Sequence, residues 1–205
     1  MSAVTAPDTV VSSLNVSRET LERLQAYVDL LCKWQKAVNL VGPKTLDEVW
    51  TRHILDSAQL LPYIPKDSRN LLDIGSGAGL PGLILAILGV QDVHLIEADA
   101  KKITFLREAA RITEVGVTLH HGRIEAIEPF PADVITARAL ASVDGLLGYT
   151  RAYRHETTVC LFLKGRGVEQ ELKEAATHWK MTVNHLPSAT ADDSVILRLE
   201  GIRNA

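Results

Sequence analysis

Between residues 17 and 40 the apolar positions Leu21, Leu24, Val28, Leu31, Trp34 and Val38 recur at intervals of three and four, the spacing of one helix face. Ser17 stands where an N-cap hydroxyl belongs. A second helix is predicted from about 46 to 61, opened by a capping box of Thr45 and Glu48 and closed by Pro62 and Pro65. Residues 1–65 therefore read as a helical extension, and residues 66–205 as a separate domain on which it packs.

From Asn70 onward the pattern changes to short apolar runs, Leu71–Ile74, Val93–Ile96, Val117–His120, Val134–Thr136 and Val159–Leu163, read as strands. Helical stretches near 81–89, 101–114, 142–153 and 168–179 lie between or after them. Strands alternating with helices imply βα units and a parallel sheet buried on both faces. The last two strands, near 181–186 and 194–199, follow each other with no room for a helix, which forces an antiparallel hairpin at the end of the sheet. Seven strands ending in such a hairpin mark one subset of doubly wound folds, apart from most dinucleotide-binding ones.

Leu71-Leu-Asp-Ile-Gly-Ser-Gly-Ala-Gly-Leu-Pro-Gly82 follows the first strand and precedes a helix. Ligands of open α/β sheets bind there, beyond the carboxyl ends of the strands, and glycines let the backbone approach a ligand closely. Two frames compete. Gly77-x-Gly79-x-x-Gly82 fits a dinucleotide fingerprint, which taken alone is weak. Asp73-x-Gly75-x-Gly77-x-Gly79 instead places an acid two residues before the first glycine, suited to an ammonium or a bound water. Pro81 near the next helix start is compatible with both. Glu97, at the end of the second strand, is placed to accept the ribose hydroxyls of an adenosine, whether of NAD or of S-adenosylmethionine. No Lys-Ser or Lys-Thr follows the glycines, which excludes a P-loop, and no Tyr-x-x-x-Lys supports hydride transfer.

Composition narrows the field further. With 205 residues, 46% hydrophobic and 23% charged, the chain belongs among ordinary globular proteins. No apolar run approaches the roughly 18 residues of a membrane span. Met1–Asp8 has neither a basic opening nor an apolar stretch, so no secretory signal is expected and a cytoplasmic location is. Cys32 and Cys160 sit in unrelated segments, which argues for buried apolar residues rather than a disulfide or zinc site. His120 and His121 alternate across a strand and cannot share a metal, and no metal site is expected. The net charge of −3 argues against nonspecific coating of nucleic acid, so a polyanion partner requires a local basic patch. Two clusters offer one: Lys101, Lys102, Arg107 and Arg111 after the second strand, and Lys33, Lys36, Lys44 and Arg52 in the helical extension.

Several segments together, in order, resemble the 16S rRNA (guanine-N7) methyltransferase family, RsmG or GidB. They are Trp34-Gln-Lys-Ala-Val-Asn-Leu40, Arg52-His-Ile-Leu-Asp-Ser57, Asp73–Gly82, Leu95-Ile-Glu-Ala-Asp-Ala-Lys-Lys102 with Phe105-Leu-Arg107, Gly122-Arg-Ile-Glu125, Thr136-Ala-Arg-Ala-Leu-Ala-Ser142 and Leu163-Lys-Gly165. The Arg-His-Ile-Leu-Asp-Ser and Ala-Arg-Ala segments are far more specific than the glycine turn. The chain departs modestly from the family pattern, with Val41 after Asn39-Leu40 where Thr is frequent, and Leu80 where Phe is frequent.

The resemblance implies a class I S-adenosylmethionine-dependent methyltransferase, a Rossmann-like seven-stranded sheet with a terminal antiparallel hairpin plus an N-terminal helical extension. It implies methylation of guanine N7 at one guanosine in the helix 18 loop of the small-subunit rRNA. Carried onto this chain, it assigns Gly75, Leu80, Ile124, Glu125 and Arg138 to the cofactor, beside Asp73, Gly77, Gly79 and Glu97 from the turn and strand ends. Arg138 and Lys164, at the ends of strands four and five, are the expected catalytic pair, with a structural pairing of Arg138 to Asp144 as the alternative. Lys36, Arg52, Lys101, Lys102 and Arg107 are the expected RNA contacts. His53 and Asp56, three apart on one helix, read as a structural pair that orients it on the sheet. The partner that the resemblance implies is the small ribosomal subunit, and the expected state is a monomer. A module that kept ligand binding and lost catalysis is the non-enzymatic alternative.

Overall fold

A computed structural model of the chain describes residues 4–205; Met1–Ala3, at the start of the segment read for a targeting signal, lie outside the described residues. Strands β1 (Leu71–Ile74), β2 (Val93–Glu97), β3 (Val117–His121), β4 (Ala132–Arg138), β5 (Arg154–Lys164), β6 (Trp179–Pro187) and β7 (Val195–Asn204) form one sheet in the order β3-β2-β1-β4-β5-β7-β6. The first five are mutually parallel; β7 lies antiparallel between β5 and β6. The strand order reverses between β1 and β4, so the crevice of the sheet opens beyond Ile74 and Arg138.

Helices cover both faces. On one, α2 (Arg18–Trp34), α4 (Gly82–Ile87) and α5 (Ala100–Thr113) share a core in which Phe105 meets Tyr27 and Trp34 edge-on at 6.1 and 5.7 Å. On the other, α6 (Val143–Thr150) and α7 (Val168–Ala175) pack around Leu146, Tyr153, Phe162 and Trp179. The helical extension is joined to the glycine turn directly: the buried Tyr27 hydroxyl donates to the Ala78 carbonyl at 2.7 Å.

The extension departs from expectation in three places. A short helix α1 (Asp8–Leu14) precedes Ser17, which caps α2 by accepting from the Thr20 amide. Helix α2 stops at Trp34 rather than at 40, because the Gln35 side chain takes over the backbone beyond it. Its carbonyl accepts from the amides of Leu40 and Val41, and its amide donates to the Val41 carbonyl. The expected helix 46–61 is a 3-10 turn at Pro43–Thr45, a π-helical turn at Trp50–Leu55 and a short α3 at Asp56–Ala58. Thr45 makes no capping box with Glu48, since its hydroxyl donates to the Gly42 carbonyl and meets His53. Cys160 is buried as expected; Cys32 is only half-buried. No described helix is long and apolar enough to cross a membrane.

Candidate active site

Three adjoining cavities lie beyond the carboxyl ends of the strands, and Arg138 and Ala139 line all of them. The first lies over the glycine turn and is walled by Gly75, Gly77 and Leu80 and by the loop that Gln35 shapes, Asn39–Val41. The second lies between β2 and β3 and is walled by Glu97, Lys102, Gly122, Ile124 and Glu125, with the exposed Leu140 and Tyr149 at its edge. The third lies between the helical extension and the β6–β7 hairpin and holds Arg52, His53, Asp56, Lys164, Glu171 and Thr190.

The turn is cut to accept something against its backbone. Gly75, Gly77 and Gly79 all have positive φ, the region side chains rarely occupy. A Cβ at Gly77 has only a carbonyl oxygen near it, at 3.8 Å, so that position opens into the cleft. A Cβ at Gly79 lies 2.6 Å from Leu83 Cβ, so that glycine serves close packing onto α4 and lines none of the three cavities. Glu97 is 8% exposed and fixed from behind, with Oε2 accepting from the Gly77 amide and Oε1 from the Asp99 amide, both at 2.8 Å. Each oxygen keeps further lone pairs, and the residue lines the second cavity.

Asp73, expected to receive an ammonium, stands elsewhere. It is fully buried, lines none of the three cavities, and faces α4, where a Cβ on Gly82 lies 2.6 Å from its own. Oδ1 accepts from Thr136 Oγ1 at 2.8 Å, while Oδ2 has no hydrogen-bond partner among the described residues. Burial pushes this carboxyl up to about 6, against the opposing pull of the Thr136 hydroxyl. The reason is the parallel sheet: β1 is covered on both faces, and alternation sends Asp73 into the α4 layer instead of the cleft.

Arg138 does not pair with Asp144, whose carboxylate accepts from Trp179 Nε1 at 2.8 Å. Its Nη1 instead faces the Arg52 carbonyl at 3.0 Å, His53 Nδ1 at 3.1 Å and Asp56 Oδ2 at 3.3 Å. Nε and Nη2 make no hydrogen bond among the described residues and remain available at the junction of the cavities. His53 and Asp56, expected to pair with each other, therefore meet through this guanidinium. Burial and the neighbouring Arg138 charge push the His53 imidazole down to about 3. Lys164 is no free cation either: its side chain is 8% exposed, and Nζ is ion-paired with Glu171 Oε2 at 2.6 Å and donates to the Ala141 carbonyl at 2.8 Å.

Of the expected RNA contacts, Lys102 lines the first two cavities and Arg52 the third; Lys36, Lys101 and Arg107 are exposed outside them. Arg111 is tied to Glu108 at 2.8 Å. Sequence reasoning left out Glu171, Thr190 and Tyr149, which carry no motif of their own, and took Ala139 only as part of the Ala-Arg-Ala segment without assigning it to the site. The positive φ of Ala139, 51°, places it among strained non-glycine residues of the kind that gather at functional sites.

A seven-stranded sheet of this order, with its antiparallel β7 and a glycine turn at the switch point, is the fold of class I S-adenosylmethionine-dependent methyltransferases. An O-methyltransferase from Bacillus cereus in complex with SAH shares that fold, with a TM-score of 0.57 at 17% identity over 96% of this chain and 97% of that one. The chain belongs to the GidB family, rRNA small subunit methyltransferase G, whose model matches residues 20–196. It is 52% identical to ribosomal RNA small subunit methyltransferase G of Paramagnetospirillum magneticum, over 96% of each chain. It is 50% identical to the protein of that name from Rhodospirillum rubrum, over 97% of this chain and 99% of that one.

Proposed function

We propose that this protein methylates guanine N7 at one guanosine of the small-subunit rRNA, in the helix 18 loop of 16S rRNA, with S-adenosylmethionine as donor. The observation that carries the reading is the meeting of three cavities at Arg138 and Ala139. Two of them form one continuous trough for an extended cofactor, and the third takes the base. The donor set fits an adenosyl group. Glu97 accepts the ribose hydroxyls, with Ile124 and Glu125 beside the adenine; Gly75, Gly77 and Leu80 line the stretch nearer the methionine end.

S-adenosylmethionine supplies a methyl group on a positively charged sulfur. The attacking N7 carries a lone pair in the plane of the base and no proton, so no side chain has to act as a base. The protein contributes placement and a tolerant electrostatic setting as charge moves from sulfur to base. Arg138, clamped by Nη1, offers Nε and Nη2 to guanine O6 or to the methionine carboxylate. Lys164 holds the third cavity's wall through Glu171. Lys102 and Arg52, at the mouths, meet RNA phosphates, and Lys36, Lys101 and Arg107 extend that basic rim across residues 1–65 and 66–205. The protein works as a cytoplasmic monomer on the small ribosomal subunit.

The test is to incubate the protein with labelled S-adenosylmethionine and small subunits lacking the modification, then map the label by mass spectrometry of rRNA fragments. Label on N7 of the helix 18 guanosine is expected; cofactor binding without label on any rRNA fragment overturns the reading.

A further inference from the structure

The third cavity, about 360 Å³, holds two carboxylates in different states. Both oxygens of Asp56 are engaged, Oδ1 by Thr190 and Gln59 and Oδ2 by Arg138. Glu171 is engaged through one oxygen only. Oε2 accepts from the Val143 amide at 2.9 Å and is ion-paired with Lys164 Nζ at 2.6 Å, whereas Oε1 has no hydrogen bond among the described residues. The side chain is 28% exposed and lines the cavity, while the contacts on Oε2 hold the carboxylate in place.

Position adds a second constraint. This cavity shares Thr45, His53, Arg138 and Ala139 with the cavity over the glycine turn, and Glu171 lies in the part they do not share. In guanine, N7 belongs to the imidazole ring, while the N1–H and 2-amino donors lie across the base on the pyrimidine ring. A base that enters the third cavity with N7 towards the shared wall turns its opposite edge to the unshared part, which Glu171 lines.

We propose that Glu171 selects the base: Oε1 accepts a hydrogen bond from the pyrimidine edge of guanine, chiefly from the 2-amino group. This assignment rests on the reading of guanine as the methyl acceptor. Adenine presents an N1 lone pair and no C2 donor on that edge, so it meets the carboxylate oxygen with repulsion and leaves it unpaired. A site built to hydrogen-bond one group discriminates strongly against analogues that lack it.

The test compares small subunits carrying guanosine or inosine at the target nucleotide, since inosine lacks only the 2-amino group. The wild-type protein is expected to favour guanosine in kcat/KM by roughly tenfold or more, the loss of one hydrogen bond to a charged group. Glu171→Gln is expected to bring the two substrates within about twofold while S-adenosylmethionine affinity by calorimetry stays unchanged. Glu171→Asp, which keeps a charge opposite Lys164 but withdraws the oxygen, is expected to do the same should the amide variant fail to fold. A variant that retains the full preference overturns the proposal, and so does a wild-type protein that methylates both substrates equally. Wild-type failure on both substrates is a different result, which overturns the guanine reading beneath it.

Discussion

Nη1 of Arg138 lies 3.1 Å from Nδ1 of His53, and that contact decides the tautomer of the imidazole. Arginine has no acceptor, so Nδ1 accepts and the ring proton sits on Nε2, which donates to Thr45 Oγ1 at 2.7 Å. The hydroxyl in turn donates its own hydrogen bond to the Gly42 carbonyl. A neutral, buried histidine thus connects the strand-four arginine to the loop over the glycine turn.

His53 makes stability depend on pH. Its pKa, 6.5 in the unfolded chain, is about 3 in the fold, so the unfolded state binds the proton first and stability is lost as pH falls from about 6.5 towards 3. The slope reaches at most about 1.4 kcal/mol per pH unit. Asp73 acts with the opposite sign: its raised pKa, about 6 against 3.8, means that stability is lost as pH rises between those values. His53→Gln is expected to remove the first effect and keep the second, read from urea unfolding of variant and wild type at pH 4 to 7. Parallel curves for the two would mean that the imidazole titrates alike in the folded and unfolded states.

Arg138→Lys tests the fork. One ammonium cannot face the Arg52 carbonyl, His53 and Asp56 while also presenting donors to the cavities. Turnover is expected to fall about 100-fold, within the range for removing a preorganised electrostatic donor, with little change in melting temperature. Single-turnover methyl transfer near the wild-type rate would remove Arg138 from the reaction.

Glu97→Gln keeps the size of the side chain but leaves one of two amides, Gly77 or Asp99, facing an NH₂ group. Cofactor affinity by calorimetry is expected to drop at least tenfold, about 1.4 kcal/mol. Unchanged affinity would take the carboxylate out of the cofactor trough.

Gly77→Ala and Gly79→Ala separate backbone strain from crowding. Both positions have positive φ, 58° and 85°, which costs an added side chain roughly 1–2 kcal/mol. At Gly79 the new methyl also lies 2.6 Å from Leu83 Cβ, adding roughly 1–3 kcal/mol of overpacking. Chemical denaturation is expected to show Gly79→Ala as the less stable protein and Gly77→Ala as the one weaker in cofactor binding. Equal stabilities would show that α4 moves aside without cost.

Apolar runs and glycine punctuation determined, from the sequence by itself, the seven strands, the helices between them, the closing hairpin, the Ser17 cap and the position of Glu97 at a strand end. These are local matters: a run too short for anything but a strand, a turn that only glycine can make, a hydroxyl one residue before a helix. Tertiary structure alone decided what the polar groups do. Thr45 and Glu48 spell a capping box, but His53, eight residues on, competes for the hydroxyl and the segment winds as a π-turn. Alternation puts Asp73 on one face of β1, yet a strand buried on both faces gives no sign of which face meets the cleft. Arg138 finds its carboxylate 82 positions away and Lys164 finds Glu171 across a loop. Such pairings form when the sheet closes and charged groups lose water together, so the partner is chosen by proximity in the fold and leaves no periodic trace along the chain.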